Sequence, residues 1–417
     1  MRAIGRSLPP VSAAATTESD PDRSVVARGL PALVGGRAAG NLLIRFPYVF
    51  LTAMARGLGV SVESATAILG IRELGGLATP VVGRIADRGH ERRVIVTTCG
   101  LAGIVTIVAP FLVDDVAGRT AGLIAFSALL VAGAVFKFGC DAAQGAWIGH
   151  RVPFARRGRI LGVMEVAWAG AFLLGVPLCA LAVDRWGWRA PFVLTGTILL
   201  AFAVAQRLVL PRDRHEQGTP ERFSFHIPPG LRGVIGYCCL QPFAQMLVFA
   251  VAGDWFVESL GMSLTGLGLN TVLIGCAELA GTGLAAGLTD RIGKRRGASI
   301  GLAVGLPAAA GLGLAGDNAV LGVVLLLWFA VGIEFSFVSA LPLITELGTT
   351  SRASAIGLAM AVLTLARAFS SSIAGVVYTR GGIALTGLLA AAALALGVAV
   401  LHWFVREPER PASFVAV

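Results

Sequence analysis

The chain is 417 residues long, 56% hydrophobic and only 14% charged, with a mean hydropathy of +0.79. A water-soluble globular chain carries about 25% charged residues and could not solvate so apolar a surface, so a soluble enzyme is excluded and a chain threaded repeatedly through a bilayer is implied. The net charge of +10 would suggest nucleic acid only if the basic residues formed a patch, which their distribution rules out.

Residues 1–30 are small, polar and proline-containing, without the apolar core of a cleaved leader, and are expected to be a disordered cytoplasmic tail. Six apolar runs follow, at 33–56, 61–83, 94–113, 121–149, 160–183 and 191–210, each long enough to cross a ~30 Å hydrocarbon core. Residues 211–230 then carry Arg212, Asp213, Arg214, Glu216, Glu221, Arg222 and the paired Pro228 and Pro229, the composition of a cytoplasmic linker. Six more runs occupy 233–256, 265–288, 298–316, 319–344, 354–378 and 383–405, and 407–417 form a second tail. Open sheets leave backbone groups unsatisfied in lipid, so the runs must be helices. The expectation is an all-α membrane protein of twelve transmembrane helices in two six-helix bundles, 31–210 and 231–406, around a central cavity.

With the N-terminus inside, 24 of the 34 basic residues fall in inner segments and five in outer loops. This asymmetry is the positive-inside signal of a multi-pass plasma-membrane protein with both termini cytoplasmic. The basic excess is therefore a topology device, and no nucleic-acid partner is expected. Six cysteines lie in apolar runs without metal-ligand or CxxC spacing and read as small hydrophobes. No GxxxxGK[ST] loop is present, so ATP drive, a cofactor and a metal are not expected.

Two loops rhyme across the linker. Gly83-Arg84-Ile85-Ala86-Asp87-Arg88-Gly89-His90-Glu91-Arg92-Arg93 joins spans 2 and 3, and Ala286-Gly287-Leu288-Thr289-Asp290-Arg291-Ile292-Gly293-Lys294-Arg295-Arg296 joins spans 8 and 9. Parallel halves of this kind mark a transporter. Together with Gly187-Trp188-Arg189-Ala190-Pro191-Phe192 and Val152-Pro153-Phe154-Ala155-Arg156-Arg157-Gly158-Arg159, these loops make the chain resemble the major facilitator superfamily over nearly its whole length. The first loop departs from that family's G-x-L-A-D-R-x-G-R-[RK] signature by placing His90 where the second glycine belongs, and the second loop has Ala286 for the first glycine. The resemblance implies that spans 3, 6, 9 and 12 are outer supports. It also implies a latch between the bundles on the cytoplasmic side, formed by Gly83, Asp87, Arg88, Arg92, Arg93, Asp290 and Arg291. Glu165, at the mouth of span 5, reads as a structural or latch residue.

Nine ionisable residues lie well inside spans: Arg45, Arg72, Glu73, Lys137, Asp141, Glu165, Glu278, Glu334 and Arg367. Each would cost roughly 2.5–3.5 kcal/mol facing lipid, so they must face protein or water. They occupy spans 1, 2, 4, 5, 8, 10 and 11 and avoid 3, 6, 9 and 12, which points to a shared wet passage. Lys137 and Asp141, one turn apart, are expected to pair. Arg72 and Glu73 point about 100° apart and are expected to pair with neighbours such as Arg45 in a cavity charge network. Glu278 and Glu334 face only Arg367 in their half, which leaves one carboxylate over. They are the expected proton-coupling acids, with Arg367 driving release and Asp141, gated by Lys137, as the N-terminal counterpart.

Phe46, Tyr48, Phe50, Trp147, Trp168, Phe243, Gln245, Phe335 and Phe337 give the cavity an aromatic content that suits an amphiphilic organic molecule. The drug/proton antiporters of the resembled family carry a span-5 glycine-proline motif and a span-4 R-x-x-Q-G string. Here these read Gly170-Ala171-Phe172-Leu173-Leu174-Gly175-Val176-Pro177 and Asp141-Ala142-Ala143-Gln144-Gly145. Expected partners are lipid, a small-molecule substrate and protons, with the protein a monomer. The functional expectation is proton-coupled export, the alternatives being proton-coupled import and a non-transporting sensor.

Overall fold

A computed structural model of the chain describes residues 21–115, 118–152, 154–213, 231–347 and 352–405, and among these every regular element is a helix. The N-terminal half contains α1 (Pro21–Val49), α2 (Val62–Ile85), α3 (Arg88–Phe111), α4 (Arg119–Arg151), α5 (Gly162–Trp186) and α6 (Ala190–Val209). The C-terminal half contains α7 (Arg232–Ser259), α8 (Leu264–Ile292), α9 (Lys294–Ala315) and α10 (Ala319–Ile344). The last stretch, Arg352–Phe404, is divided at Gly382 (φ 62°, ψ −166°) into α11 (352–381) and α12 (383–404). Twelve spans thus stand among the described residues, as hydropathy predicts.

The described part of the first helix already covers residues 21–30, inside the stretch expected to be tail. The apolar positions Val26, Leu30 and Leu33 dock this part of the helix on a cluster that includes Ile148, Val152 and Leu210. The described ends of the chain share one end of the molecule with Leu210 and Gly233, which flank the linker. Gly29 lies against Trp147 and Leu210, and Val405 lies against Gly233 and accepts a hydrogen bond from Arg295. We call this the linker end and its opposite the far end.

The halves repeat each other at their turns. Among the described residues eight glycines have positive φ, and they fall into four matched positions: Gly59 with Gly261, Gly89 with Gly293, Gly118 with Gly316, and Gly187 with Gly382. Left-handed backbone strains any residue with a Cβ, so these turns fix where helices end. Gly89 turns the first signature loop one position early, which explains why His90 can replace the expected glycine. Ser61 and Ser263, 202 residues apart, cap α2 and α8 identically, each accepting from the backbone N–H three residues on.

Close approaches follow small residues, as lipid-embedded helices require. A Cβ on Gly196 of α6 would lie 2.6 Å from the Gly103 carbonyl of α3, and Gly387 brings α12 onto the Ala309 carbonyl of α9. Near the far end α1 breaks at Phe50 and continues as Leu51–Leu58 after a 73° bend. Pro47 precedes the break and cannot bond the Leu43 carbonyl four residues back. The guanidinium of Arg72 reaches that carbonyl at 3.5 Å and binds the next one, Ile44, at 2.8 Å. The helix break and the buried arginine therefore belong together.

Candidate functional site

A cavity lies between the halves, lined from α1, α5, α7, α8, α10 and α11 and, among the described residues, by nothing from α2, α3, α4, α6, α9 or α12. The absence of α3, α6, α9 and α12 agrees with the span pattern of the in-span charges, but α2 and α4, which carry Arg72, Glu73, Lys137 and Asp141, do not reach the lining, and α7, which carries none of those charges, does. The eight such charges whose side chains are described are all buried or half-buried. Three of them, Arg45, Glu278 and Arg367, line the cavity.

Arg45 of α1 and Glu278 of α8 form a two-pronged ion pair across the halves, Nη1 to Oε2 at 2.8 Å and Nη2 to Oε1 at 2.9 Å. A planar fork on a carboxylate is the strong geometry for such a pair. The guanidinium carbon also sits 3.8 Å from the ring centres of both Trp168 and Phe172 on α5. Two aromatic faces hold the cation in place by cation–π attraction whatever the carboxylate does.

Beside this pair, Glu73 of α2 gathers a second network. Arg72 Nη2 donates to its Oε1 at 2.9 Å and Arg367 Nε, from α11, to its Oε2 at 3.1 Å. The Tyr48 hydroxyl donates to Oε1 at 3.1 Å and stands 2.9 Å from the hydroxyl of Ser371. Two guanidiniums thus share one carboxylate that is 1% exposed.

These contacts correct three expectations. Glu278 is not the carboxylate left over, because Arg45 of the other half reaches it. Arg367 is bound to Glu73 rather than poised on the C-terminal acids. Arg72 and Glu73 do bond each other: their Cβ directions diverge, but the long arginine curls round to its neighbour. Glu334 does not line the cavity. It lies against Gly281 on α8 and accepts from Thr282 Oγ1 at 3.3 Å. Lys137 and Asp141 pair within α4 at 2.6 Å, as their spacing predicts, and Arg37 stands 3.9 Å from the same carboxylate. Of the aromatic and amide residues expected at the cavity, Tyr48, Trp168 and Gln245 line it. Phe46 instead packs edge-on to Phe192 at 4.8 Å, Trp147 is fully buried, and Phe243 stacks on Phe369 at 6.2 Å. Phe50, Phe335 and Phe337 also lie off the lining, while Phe172, Phe249 and Phe256 supply rings that were not singled out.

At the far end the halves are tied together. Arg56 Nη2 meets Glu258 Oε1 at 2.5 Å, and Thr52 Oγ1 donates to Asp254 Oδ1 at 2.6 Å. Gly253 lets α7 press onto the carbonyls of Tyr48 and Val49, and the Gly375 N–H of α11 donates to Thr66 of α2. At the linker end, Asp213 accepts the backbone N–H groups of Arg92 (2.7 Å) and Arg93 (3.3 Å), and Arg92 also binds the Arg207 carbonyl. These two latch residues hold the linker to α3 by capping its positive end. Glu91, within the signature run, is buried and pairs with His150 Nδ1 at 2.5 Å. Arg88, Asp290 and Arg291 are exposed, and Gly83 faces Ala142. The side chains of Asp87 and Glu165 lie outside the described residues.

Asn270 and Thr271 of α8 were also missed. Asn270, Ile274 and Glu278 follow one another at four-residue steps along one face, a signal available once Glu278 is placed at the cavity.

Two pseudo-equivalent helical bundles around a shared, ion-lined cavity define a membrane transporter. The model of the Major Facilitator Superfamily matches residues 38–232 and 233–416, and the chain belongs to that superfamily. A search of curated protein sequences finds no match. Among solved structures the chain is similar to a D-xylose–proton symporter, with TM-score 0.72 and 17% identity over 91% of this chain and 97% of that one. It is also similar to a bacterial homolog of the human lysosomal transporter Spinster in an inward-facing, unoccupied conformation (TM-score 0.68, 16% identity, 94% and 100% covered). A third is the inward-open xylose transporter XylE from E. coli (0.71, 17%, 92% and 97%). At these identities the likeness establishes the fold.

Proposed function

We propose that the protein is a proton-coupled secondary transporter of the plasma membrane, moving a small amphiphilic organic molecule by alternating access, with both termini cytoplasmic. The observation that carries this reading is the Arg45–Glu278 pair, which faces the cavity and joins the two halves. Protonating Glu278 cancels its charge and opens the pair. Arg45, held between Trp168 and Phe172, cannot follow the departing acid. The halves are then free to rock at this point, and the proton leaves when the pair closes again. Glu334, hydrogen-bonded to Thr282 in its own half and set back from the lining, is a second protonatable carboxyl. The Lys137–Asp141 pair lies on one helix and acts by position, holding α4 beside α1.

Export is the direction we favour. The ties at Arg56 and Thr52 join the halves at the far end, the side away from the basic loops, in a state that importers and exporters both pass through. The aromatic lining suits an amphiphile. Uptake with protons, the activity named for the D-xylose–proton symporter, would use the same acid on the same fold and differs in sign.

Inside-out vesicles carrying an imposed pH gradient test this with radiolabelled aromatic amines, amides and carboxylates. Gradient-driven accumulation of at least one compound is expected. In Glu278→Gln, gradient drive is lost while exchange of labelled for unlabelled compound persists. Accumulation by Glu278→Gln equal to that of the unaltered protein, or no movement of any compound, overturns the reading. Accumulation that needs the opposite gradient identifies an importer.

A further inference from the structure

The polar groups lining the cavity are not equally provided for. Arg45 spends both Nη atoms on Glu278, Arg367 gives Nε to Glu73, and the Thr271 hydroxyl is committed to the Gly268 carbonyl at 2.6 Å. Asn270, next to Thr271, is 3% exposed, and neither its Oδ1 nor its Nδ2 has a hydrogen-bond partner among the described residues. Gln241 and Asn41 each leave one amide nitrogen unpartnered and lie off the lining. Asn270 alone among the described side chains combines two unpartnered buried polar atoms with a place on the cavity wall.

A buried amide with both ends unmatched is a costly feature in an apolar wall, and the cost is removed when a ligand supplies both partners. The primary carboxamide of an asparagine side chain presents an acceptor and two donors from one plane, so its best match is another group with a donor and an acceptor side by side. We infer that Asn270 is a substrate-reading residue that recognises a neutral carboxamide or lactam. This rests on the reading of the cavity as the transport site and names the class of molecule it takes.

The placement sets the shape of that molecule. Asn270 precedes Glu278 by two turns on one face of α8, about 12 Å along the axis toward the far end. Phe249 and Phe256 of α7 and Trp168 and Phe172 of α5 line the same cavity. The ligand is an amide with an aryl or alkyl body: its polar head reaches Asn270, its body lies on the rings, and the coupling acid stands clear of the head.

The test uses purified full-length protein in detergent at one pH, with hydrocinnamamide and its matched methyl ester, which keeps the carbonyl but lacks the N–H donors. Affinity is read by tryptophan fluorescence and by the shift in melting temperature. The unaltered protein is expected to bind the amide about tenfold or more tighter than the ester. In Asn270→Leu, of nearly the same size, the two affinities converge through loss of amide binding. Unliganded Asn270→Leu is expected to melt no lower than the parent, since it removes unmatched polar atoms, and this checks that it folds. Equal binding of the two probes by the parent, failure of the amide to bind it, or a preference retained in Asn270→Leu overturns the inference. The last result would mean that the amide serves only water. Because no pH gradient is involved, this result is independent of whether Glu278 couples protons.

Discussion

Two ion pairs inside the spans have similar chemistry and opposite mechanical consequences. Lys137 and Asp141 are one turn apart on α4 and close at 2.6 Å, while Arg45 and Glu278 are 233 residues apart and close at 2.8 Å across the halves. A pair within one helix travels with that helix and is blind to how the bundles are placed. A pair between bundles exists in some arrangements and not in others, so its formation energy is part of the conformational equilibrium. Location relative to the moving interface, more than burial or distance, makes a charge useful for coupling.

The sharpest way to break this contrast is Arg45→Ala. It strands Glu278 in an aromatic wall, and removing one partner of a buried pair costs about 3–5 kcal/mol. We expect a large fall in melting temperature in detergent, with recovery in the double change Arg45→Leu/Glu278→Leu, whose partners are both apolar. A double no more stable than the single would remove the pair from its central place. Next in size is Tyr48→Phe, which takes the hydroxyl from between Glu73 and Ser371 and should cost about 1–1.5 kcal/mol, read by the same melting assay. A double-mutant cycle on Lys137 and Asp141 should give a coupling of only about 0.5–1 kcal/mol, because Asp141 is partly solvated and the contact is a local i, i+4 pair. Gradient-driven flux should survive Asp141→Asn, and its loss would erase the distinction drawn here. Smallest in stability is Arg56→Ala, at an exposed pair worth under about 1 kcal/mol. Its effect should appear instead as a shift toward states open at the far end, measured by spin-label distances between the halves.

The twelve spans, their division into two repeats and the avoidance of α3, α6, α9 and α12 by charge could all be read from the sequence, because hydropathy and the cost of charge in lipid act residue by residue. The Lys137–Asp141 pair was legible for the same reason, since one helix turn suffices to specify it. Partners across the halves were not. Whether Glu278 meets Arg367 or Arg45 depends on the rotation and depth of α1, α8 and α11, which no local pattern encodes. Counting charges within each half assumed that each half balances itself, and the structure balances them between halves. The aromatics failed in the same way: Phe46 and Trp147 are as apolar as Trp168, and only packing decides which ring faces the void. Asn270 was overlooked because a neutral amide raises no alarm in a charge count.

The far-end contacts carry one more consequence. Thr52 meets Asp254 and Arg56 meets Glu258, each across 202 residues, the separation that also relates Gly59 to Gly261 and Ser61 to Ser263. Corresponding positions of the two repeats therefore face one another along the pseudo-twofold axis. In a dimer of identical bundles a residue on that axis would confront its own copy, arginine against arginine, and could only repel. Fusing the bundles into one polypeptide lets the two copies diverge in sign, so that self-opposition becomes a clasp between unlike groups.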